Sequence, residues 1–152
     1  MISKEALQML ADNPRAFLQQ GRAIERDIQV KNLRLGRLRQ ISVQITTTIK
    51  AASAYTGPGD KVGDCVTEIL DLTKEIETCI GRLLEKQQEI QKAIDLLVED
   101  PTQHAILEAK YVVGASWEAI AYEFHYAYRW VMRLHKRALK AMQDTAKKRL
   151  ED

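Results

Sequence analysis

Glycine and proline are scarce in this chain, which has 7 Gly and 3 Pro among 152 residues. A protein of many short strands needs such residues at its turns, so their scarcity argues against a turn-rich β fold. No stretch reaches the ~18 consecutive apolar residues of a membrane-spanning helix, and residues 1–13 lack the pattern of a signal peptide. The sequence therefore predicts an all-α protein of the cytoplasm with no membrane partner.

Cysteine and histidine are too few and too scattered for metal or redox chemistry. Cys65 and Cys79 lie two heptads apart on one predicted helix, about 21 Å along its axis, so they cannot form a disulfide within it. We expect two free thiols on the flank of that helix. His104, His125 and His135 lack the spacing of zinc ligands, and no phosphate-binding loop or nucleophile–base pair is recognisable. We expect no metal, no cofactor and no enzymatic activity.

The small net charge of +2 hides three charged blocks. Residues 14–55 contain eight Lys or Arg and two acidic side chains, which gives +6. Residues 60–100 contain five cations and eleven carboxylates, which gives −6. Residues 126–149 contain eight cations and one carboxylate, which gives +7. The first two blocks are equal and opposite, which predicts that they face each other, whereas the third indicates an external anion.

In two long segments, mostly apolar residues lie alternately three and four positions apart, the spacing of a coiled coil. We call residues 17–52 the first arm and residues 62–97 the second arm. The predicted seam of the first arm is Phe17, Gly21, Ile24, Ile28, Lys31, Leu35, Leu38, Ser42, Ile45, Ile49 and Ala52. The predicted seam of the second arm is Val62, Val66, Ile69, Thr73, Ile76, Ile80, Leu83, Gln87, Ile90, Ile94 and Leu97.

The break between the arms is Thr56-Gly57-Pro58-Gly59-Asp60. Gly ends helices, Pro cannot continue one, and Asp60 can cap the next. So short a break predicts a long antiparallel helical hairpin (coiled coil) with its turn near residues 56–60. The pairing of the arms could lie within one chain or between two, and the thin core of a two-helix hairpin favours a homodimer. Upstream, Ser3 and Asn13-Pro14 mark two further helix starts.

A small C-terminal helix-turn-helix domain is predicted for residues 100–145. Asp100-Pro101 starts a helix that Gly114 ends, and Ser116 caps a second helix over residues 117–124. Trp117, Ile120, Ala121 and Phe124 form one apolar stripe of that second helix, which favours a place in the core for the tryptophan. Residues 1–99 would then be the hairpin region, and residues 146–152 a solvated basic tail.

The third helix of this domain, about residues 127–142, is predicted to have two unlike faces. Its apolar face consists of Ala127, Val131, Leu134, Ala138 and Ala141, and its cationic face of Arg129, Arg133, Lys136, Arg137 and Lys140. Only Lys140 has an acid four residues away, Asp144, and the other four cations have none to balance them. Such a helix favours double-stranded DNA as a partner over a merely solvated surface.

The same residues resemble the helix-turn-helix of sigma factor region 4. The pattern consists of Leu107-Glu108-Ala109-Lys110-Tyr111, Ser116-Trp117-Glu118-Ala119-Ile120-Ala121, Val131 and Leu134-His135-Lys136-Arg137-Ala138-Leu139. More narrowly, it is similar to a family of small phage and prophage transcription regulators, in which a helical N-terminal stretch precedes such a head. The resemblance implies a DNA-binding transcription regulator whose third helix lies in the major groove, with host RNA polymerase as a candidate partner.

The cationic face and the resemblance together give six predicted DNA-binding residues. They are Tyr128, Arg129, Arg133, Lys136, Arg137 and Lys140. The family commonly has a capping Ser where this chain has Ala127, so we expect a helix that starts less firmly or contacts supplied by Tyr126. Two other functions fit the pattern of elements: a coiled-coil adaptor that binds a protein such as RNA polymerase, and a phage DNA-packaging small subunit.

Overall fold

The computed structural model describes residues 2–51 and 59–152, and these are helical over nearly their whole length. The helices are α1 (Lys4–Asp12), α2 (Pro14–Leu18), α3 (Gln20–Ala51), α4 (Gly59–Leu97), α5 (Pro101–Leu107), α6 (Trp117–Phe124) and α7 (Tyr128–Glu151). A π-helical segment, Glu108–Val113, continues α5. The described residues contain no strand, which confirms the predicted all-α class.

Four of the predicted helix starts have the expected side-chain caps. In each, a side-chain oxygen accepts a hydrogen bond from the backbone N–H three residues later, a donor that has no partner inside the helix. The pairs are Ser3–Ala6 at 3.2 Å, Asn13–Ala16 at 3.1 Å, Asp100–Gln103 at 3.0 Å and Ser116–Ala119 at 3.1 Å. Gly114 ends the π-helical segment as predicted, with a left-handed backbone (φ 84°) that suits a residue without Cβ.

The described residues form two compact units. The first contains residues 2–23 and Leu83–Asp152, and the second is Ile24–Arg82. The sequence predicted another division, with residues 1–99 as one region and a new domain at residue 100. The difference arises because α1 packs against α7 in the first unit. One link between them is the Gln143 side-chain amide, which donates to the Ala11 carbonyl at 2.8 Å across 132 residues of sequence.

The larger core of the first unit joins its N-terminal helices to α4 and α7. Leu10 and Leu18 are fully buried there, as are Ile90 and Ile94 of α4. Alanines at contact positions allow helices to approach closely, and Ala93, Ala138 and Ala146 are all fully buried in this core. Residues 146–151, predicted as a solvated tail, instead continue α7, and Leu150 packs against the same core.

In the second unit, α3 and α4 contact each other through Leu35, Leu72 and Ile76. Leu38 and Ile69 pack beside them, and farther along the Cys79 Sγ lies 3.7 Å from the Asp27 carboxylate. Residues farther along α3 contact residues nearer the start of α4, which is the order of antiparallel helices. Residues 56–58 of the predicted turn lie outside the described residues.

The predicted seam fits the first arm better than the second. Every predicted position from Phe17 to Ile45 is buried or half-buried. On the second arm, Val66 and Ile80 are exposed, and their neighbours Cys65 and Cys79 are buried instead. Two predictions were therefore wrong: the positions of the seam at these two turns, and the flank position of the thiols. Val66 and Ile80 were predicted at seam positions because they are more apolar than the neighbouring cysteines. Which residue is covered depends instead on the direction from which α3 approaches α4.

The opposite charges of the two arms do not form direct ion pairs in the described residues. Lys31 pairs with Asp27 at 2.8 Å within α3, and Lys86 pairs with Glu89 at 2.9 Å within α4. Across the described parts of the two helices, no ion pair joins α3 to α4. Apolar contacts therefore hold the two helices together, and their opposite charges remain at the surface.

Candidate nucleic-acid interface

Helix α7 has a buried side and a cationic side about 180° apart at 100° per residue. The predicted buried residues Val131, Leu134 and Ala138 are buried. Ala127 is exposed and precedes the helix as its N-cap, and Ala141 is half-buried. Met142, which the sequence assigned to neither face, is fully buried. Burial of one side fixes the rotation of the helix, so the cations opposite it must point to solvent.

The structure places all six predicted DNA-binding residues on exposed surface. Five are the cations of the cationic face: Arg129, Arg133, Lys136, Arg137 and Lys140. The sixth, Tyr128, is the first residue of α7 and is also exposed. Among residues 2–51 and 59–152, no ion pair involves any of the five cations. The cationic face therefore presents a positive potential that the described carboxylates do not neutralise by contact.

Helix α6 positions the first turns of α7 through a second, smaller core. Ile106, Ile120, Val131 and Leu134 are its buried members. The α6 stripe predicted from sequence lies in this cluster, because Trp117, Ala121 and Phe124 pack against it. A short connection joins the two helices, and the C-cap of α6, His125, adopts the left-handed conformation (φ 57°) that is uncommon for a residue with Cβ.

The start of α7 lacks a side-chain cap, as Ala127 predicts. Its backbone carbonyl accepts hydrogen bonds from the N–H groups of Trp130 and Val131, but its methyl side chain can accept none. Tyr126 instead closes the preceding turn, since its N–H donates to the Ala121 carbonyl at 3.0 Å. Uncapped donors of a helix start are available to solvent or to an anionic ligand.

The two tryptophans have different environments. Trp117 lies inside the domain, edge-on to the His135 ring with 4.5 Å between centroids, which agrees with the predicted place in the core. Trp130 is partly exposed, and the Arg137 guanidinium lies 5.4 Å from its ring centre. This cation–π contact restrains Arg137 along the helix surface without consuming its hydrogen-bond donors.

His135 lies in the interior and does not belong to the cationic face. Its Nε2 is 2.7 Å from the Tyr111 hydroxyl, in a buried hydrogen bond that ties the π-helical segment to α7. Burial lowers the pKa of His135 to about 4, and the nearby charges of Arg15 and Lys110 act in the same direction. Burial raises the pKa of Tyr111. Both partners are therefore neutral at pH 7, and the imidazole cannot serve as a phosphate-binding cation.

This burial predicts a pH-dependent stability. His135 titrates near 6.5 in the unfolded chain and near 4 in the folded one, so between these values only the unfolded state gains the proton. We expect the free energy of unfolding to be highest above pH 6.5 and to fall by roughly 2 to 3 kcal/mol towards pH 4. Urea unfolding followed by circular dichroism at pH 7, 5.5 and 4.5 measures the change.

The matched variant for this experiment is His135→Gln, which keeps a polar group beside Tyr111 but does not titrate. The free energy of unfolding of this variant should be lower than that of the wild type at pH 7 and nearly constant between pH 7 and pH 4.5. Asp95, whose carboxyl pKa is lowered by its hydrogen bond to His104, does not obscure the comparison, because it is present in both proteins. An equal loss of stability in both proteins on acidification would show that another group is responsible.

Arg22 and Lys110, far apart in sequence, hold the π-helical segment in place before α6. The Arg22 Nη2 donates to the Lys110 carbonyl at 3.2 Å, and the Lys110 ammonium lies 4.6 Å from the Trp117 ring centre. Burial lowers the pKa of Lys110, and the positive charge of Arg22 adds to this effect. Arg22 was not predicted to belong to this domain, because no local pattern connects the start of α3 with the π-helical segment.

Helix α7 is longer than the predicted helix of about residues 127–142. Lys147, Lys148 and Arg149 are exposed on its last turns. A signal was present, because Met142, Ala146 and Leu150 recur every four residues and mark one face of a continuing helix. The structure thus adds three cations to the same helix as the cationic face.

Other kinds of site are not found in the described residues. No group of three or more His, Cys, Asp or Glu side chains in that part of the chain is arranged to hold a metal ion. None of the helices described is both long and apolar enough to cross a bilayer. Comparison of the chain with protein-family models, curated proteins and solved structures gives no match.

Proposed function

We propose that this protein is a DNA-binding transcription regulator of the phage and prophage type, with a helix-turn-helix similar to sigma factor region 4. The observation that carries the proposal is the cationic face of α7, which is exposed and makes no ion pairs within the described residues. The opposite side of the same helix is fixed in two cores. A rigid helix with uncompensated charge on its outer face is suited to a polyanion of regular shape.

In the proposed complex, α7 lies in the major groove and α6 holds it at a fixed angle. Arg129 and Arg133 are within the first two turns, where recognition helices approach base edges, and arginine can donate two hydrogen bonds to one guanine. Lys136 and Lys140 lie farther along and would contact phosphates. Arg137, restrained by Trp130, would contact the backbone in a defined orientation, and Tyr128 would reach a base or sugar at the helix start.

The helices of the second unit serve assembly in this proposal. A homodimer would bind two half-sites, as symmetric helix-turn-helix regulators do. Host RNA polymerase is the protein partner that the sequence resemblance implies. Both partnerships belong to the proposal and have tests separate from that of DNA binding.

Salt-dependent binding to duplex DNA tests the proposal. Random-sequence duplexes enriched by repeated binding and elution would supply the site, and its affinity would then be measured between 50 and 200 mM salt. The logarithm of the association constant should fall with the logarithm of salt concentration with a slope of about −0.9 per phosphate neutralised. Five contacts in one head would give a slope of roughly −4.5.

Two outcomes of this experiment count against the proposal. One is the absence of measurable binding to any duplex at 50 mM salt. The other is an affinity that does not change with salt, because phosphate contacts by Arg and Lys necessarily release counterions. Single strands of the same sequence are the control, since a helix shaped for the major groove should bind them more weakly.

A coiled-coil adaptor that binds protein is the second candidate function, and one observation favours it. Tyr122, Tyr126 and Tyr128 are all exposed near the turn between α6 and α7, and aromatic residues are enriched where proteins contact each other. An adaptor should retain its protein partner after nuclease treatment and should protect no naked duplex from cleavage. A DNA footprint without any added protein would exclude this candidate as the main function.

A further inference from the structure

Helix α4 has more apolar surface in the second unit than α3 covers. Cys65, Leu72 and Cys79 are buried on the side that faces α3. Val66, Leu70 and Ile80 are 46%, 57% and 43% exposed. A helix whose apolar surface extends beyond one seam requires a second helix to cover the remainder.

The exposed residues lie on one side of α4. At 100° per residue, Leu70 and Ile80 each lie about 40° from Val66, one on either side of it, and the centre of the group lies roughly 100° around the helix from the side that faces α3. Glu77 falls on the same side and is exposed. We call Val66, Leu70, Glu77 and Ile80 the outer stripe. An apolar line with one acid in it is typical of a helix–helix interface in which a cation of the partner selects the pairing.

Opposite charges show which helix covers the outer stripe. The exposed cations of α3 in this unit include Arg26, Arg34, Arg37 and Arg39, and the exposed acids of α4 include Asp64, Glu68, Asp71, Glu75 and Glu77. Within the described residues, none of these forms an ion pair. An approach of two α4 helices would bring acids together, whereas an approach of α4 to a second α3 brings acids to cations.

We infer that a second copy of this chain covers the outer stripe of α4 with its own α3, so that two pairs of helices associate as a four-helix bundle. A two-fold axis makes each such contact occur twice, which doubles both the apolar area and the charge pairing. The surface of α3 around Gly36 is open, since Gly36 is exposed and a Cβ built on it meets no atom within 4 Å. This inference deepens the dimeric part of the proposed function.

The mass of the whole protein in solution, without DNA, tests the inference by sedimentation equilibrium over a range of concentrations. The wild type should have twice the chain mass of 17.4 kDa. Ile80→Glu places a charge in the outer stripe twice per dimer, and should weaken the association about a hundredfold or more. Thr78→Glu is the matched control, because Thr78 is exposed on the same helix but lies about 120° around it from Val66. It should leave the mass unchanged.

Reversal of the charge in the stripe identifies the covering helix. If the cationic α3 of the second copy covers it, Glu77→Lys should weaken association by roughly tenfold, since two pairs change from attraction to repulsion. Tighter association of Glu77→Lys would mean that α4 meets α4 and would overturn the assignment. A monomeric wild type, or Ile80→Glu dimers as stable as the wild type, would overturn the interface itself. Circular dichroism of each variant checks that the helices remain folded.

These outcomes are separable from those of the DNA experiment. Loss of the dimer with retained salt-dependent binding of a single half-site would remove this inference and leave the proposed function standing. A stable dimer of wild-type protein that binds no duplex would do the reverse.

Discussion

Replacing Arg133 by Glu is expected to reduce affinity for the selected duplex by about 10- to 100-fold or more. Arg133 is exposed in the middle of the cationic face, and a good arginine contact to a base is worth about 1–3 kcal/mol, with 1.4 kcal/mol for each factor of ten. The introduced carboxylate also repels the phosphates, which adds to the loss. Fluorescence anisotropy of a labelled duplex at fixed salt measures the effect.

The control for Arg133→Glu is the same charge reversal at an exposed lysine of α4. Lys92→Glu changes the net charge by the same amount but lies outside α7. It should lower the affinity no more than the change in overall charge requires. Unchanged helical content in both variants would show that the loss comes from the missing contact. Equal affinities of Arg133→Glu and the wild type would remove α7 as the recognition helix.

Replacing Leu10 by Ala is expected to destabilise the first unit by about 2–5 kcal/mol. Leu10 is fully buried among α1, α4 and α7, and removal of a buried leucine side chain costs its transfer free energy and leaves a cavity. Domains of this size are stable by only about 5–15 kcal/mol, so the variant should unfold at a markedly lower urea concentration. Urea titration at 25 °C measures the difference.

Leu33→Ala is the matched control for the stability experiment. It removes the same atoms from a leucine that is 76% exposed on α3, so its effect should remain within about 0.5 kcal/mol. An equal stability of the Leu10→Ala variant and the wild type would contradict the packing of α1 against α7. Where the variant remains folded, its affinity for duplex DNA should be retained, because Leu10 lies in the core rather than on the cationic face.

The core that α1 forms with α7 helps to fix the orientation of the cationic face. Met142 and Ala146 bury their side chains in the core that contains Leu10, while Val131 and Leu134 are held by the cluster around Ile120. Two cores thus fix α7 at different points along its length. A helix anchored twice resists rotation about its axis, which keeps the cationic face directed outwards.

The sequence by itself determined the elements and their faces. Ser3, Asp100 and Ser116 each precede a helix because their side chains satisfy backbone donors three residues later, an interaction that needs no tertiary contact. The apolar side of α7 and the seam of α3 could be read because helical periodicity repeats every 3.6 residues. The five cations among the candidate contact residues were found in the same way, Tyr128 was added from the resemblance, and all six are exposed.

Only the tertiary structure decided which faces meet. Cys79 lies in the seam instead of Ile80 because α3 approaches α4 from one direction, and one residue of a helix turns by about 100°. His135 is a neutral core residue because α7 meets Tyr111 on that side. α1 belongs with α7 through contacts such as Gln143 to Ala11, between residues far apart along the chain. Local periodicity states that a face must be buried, whereas the partner that buries it depends on the packing of the whole chain.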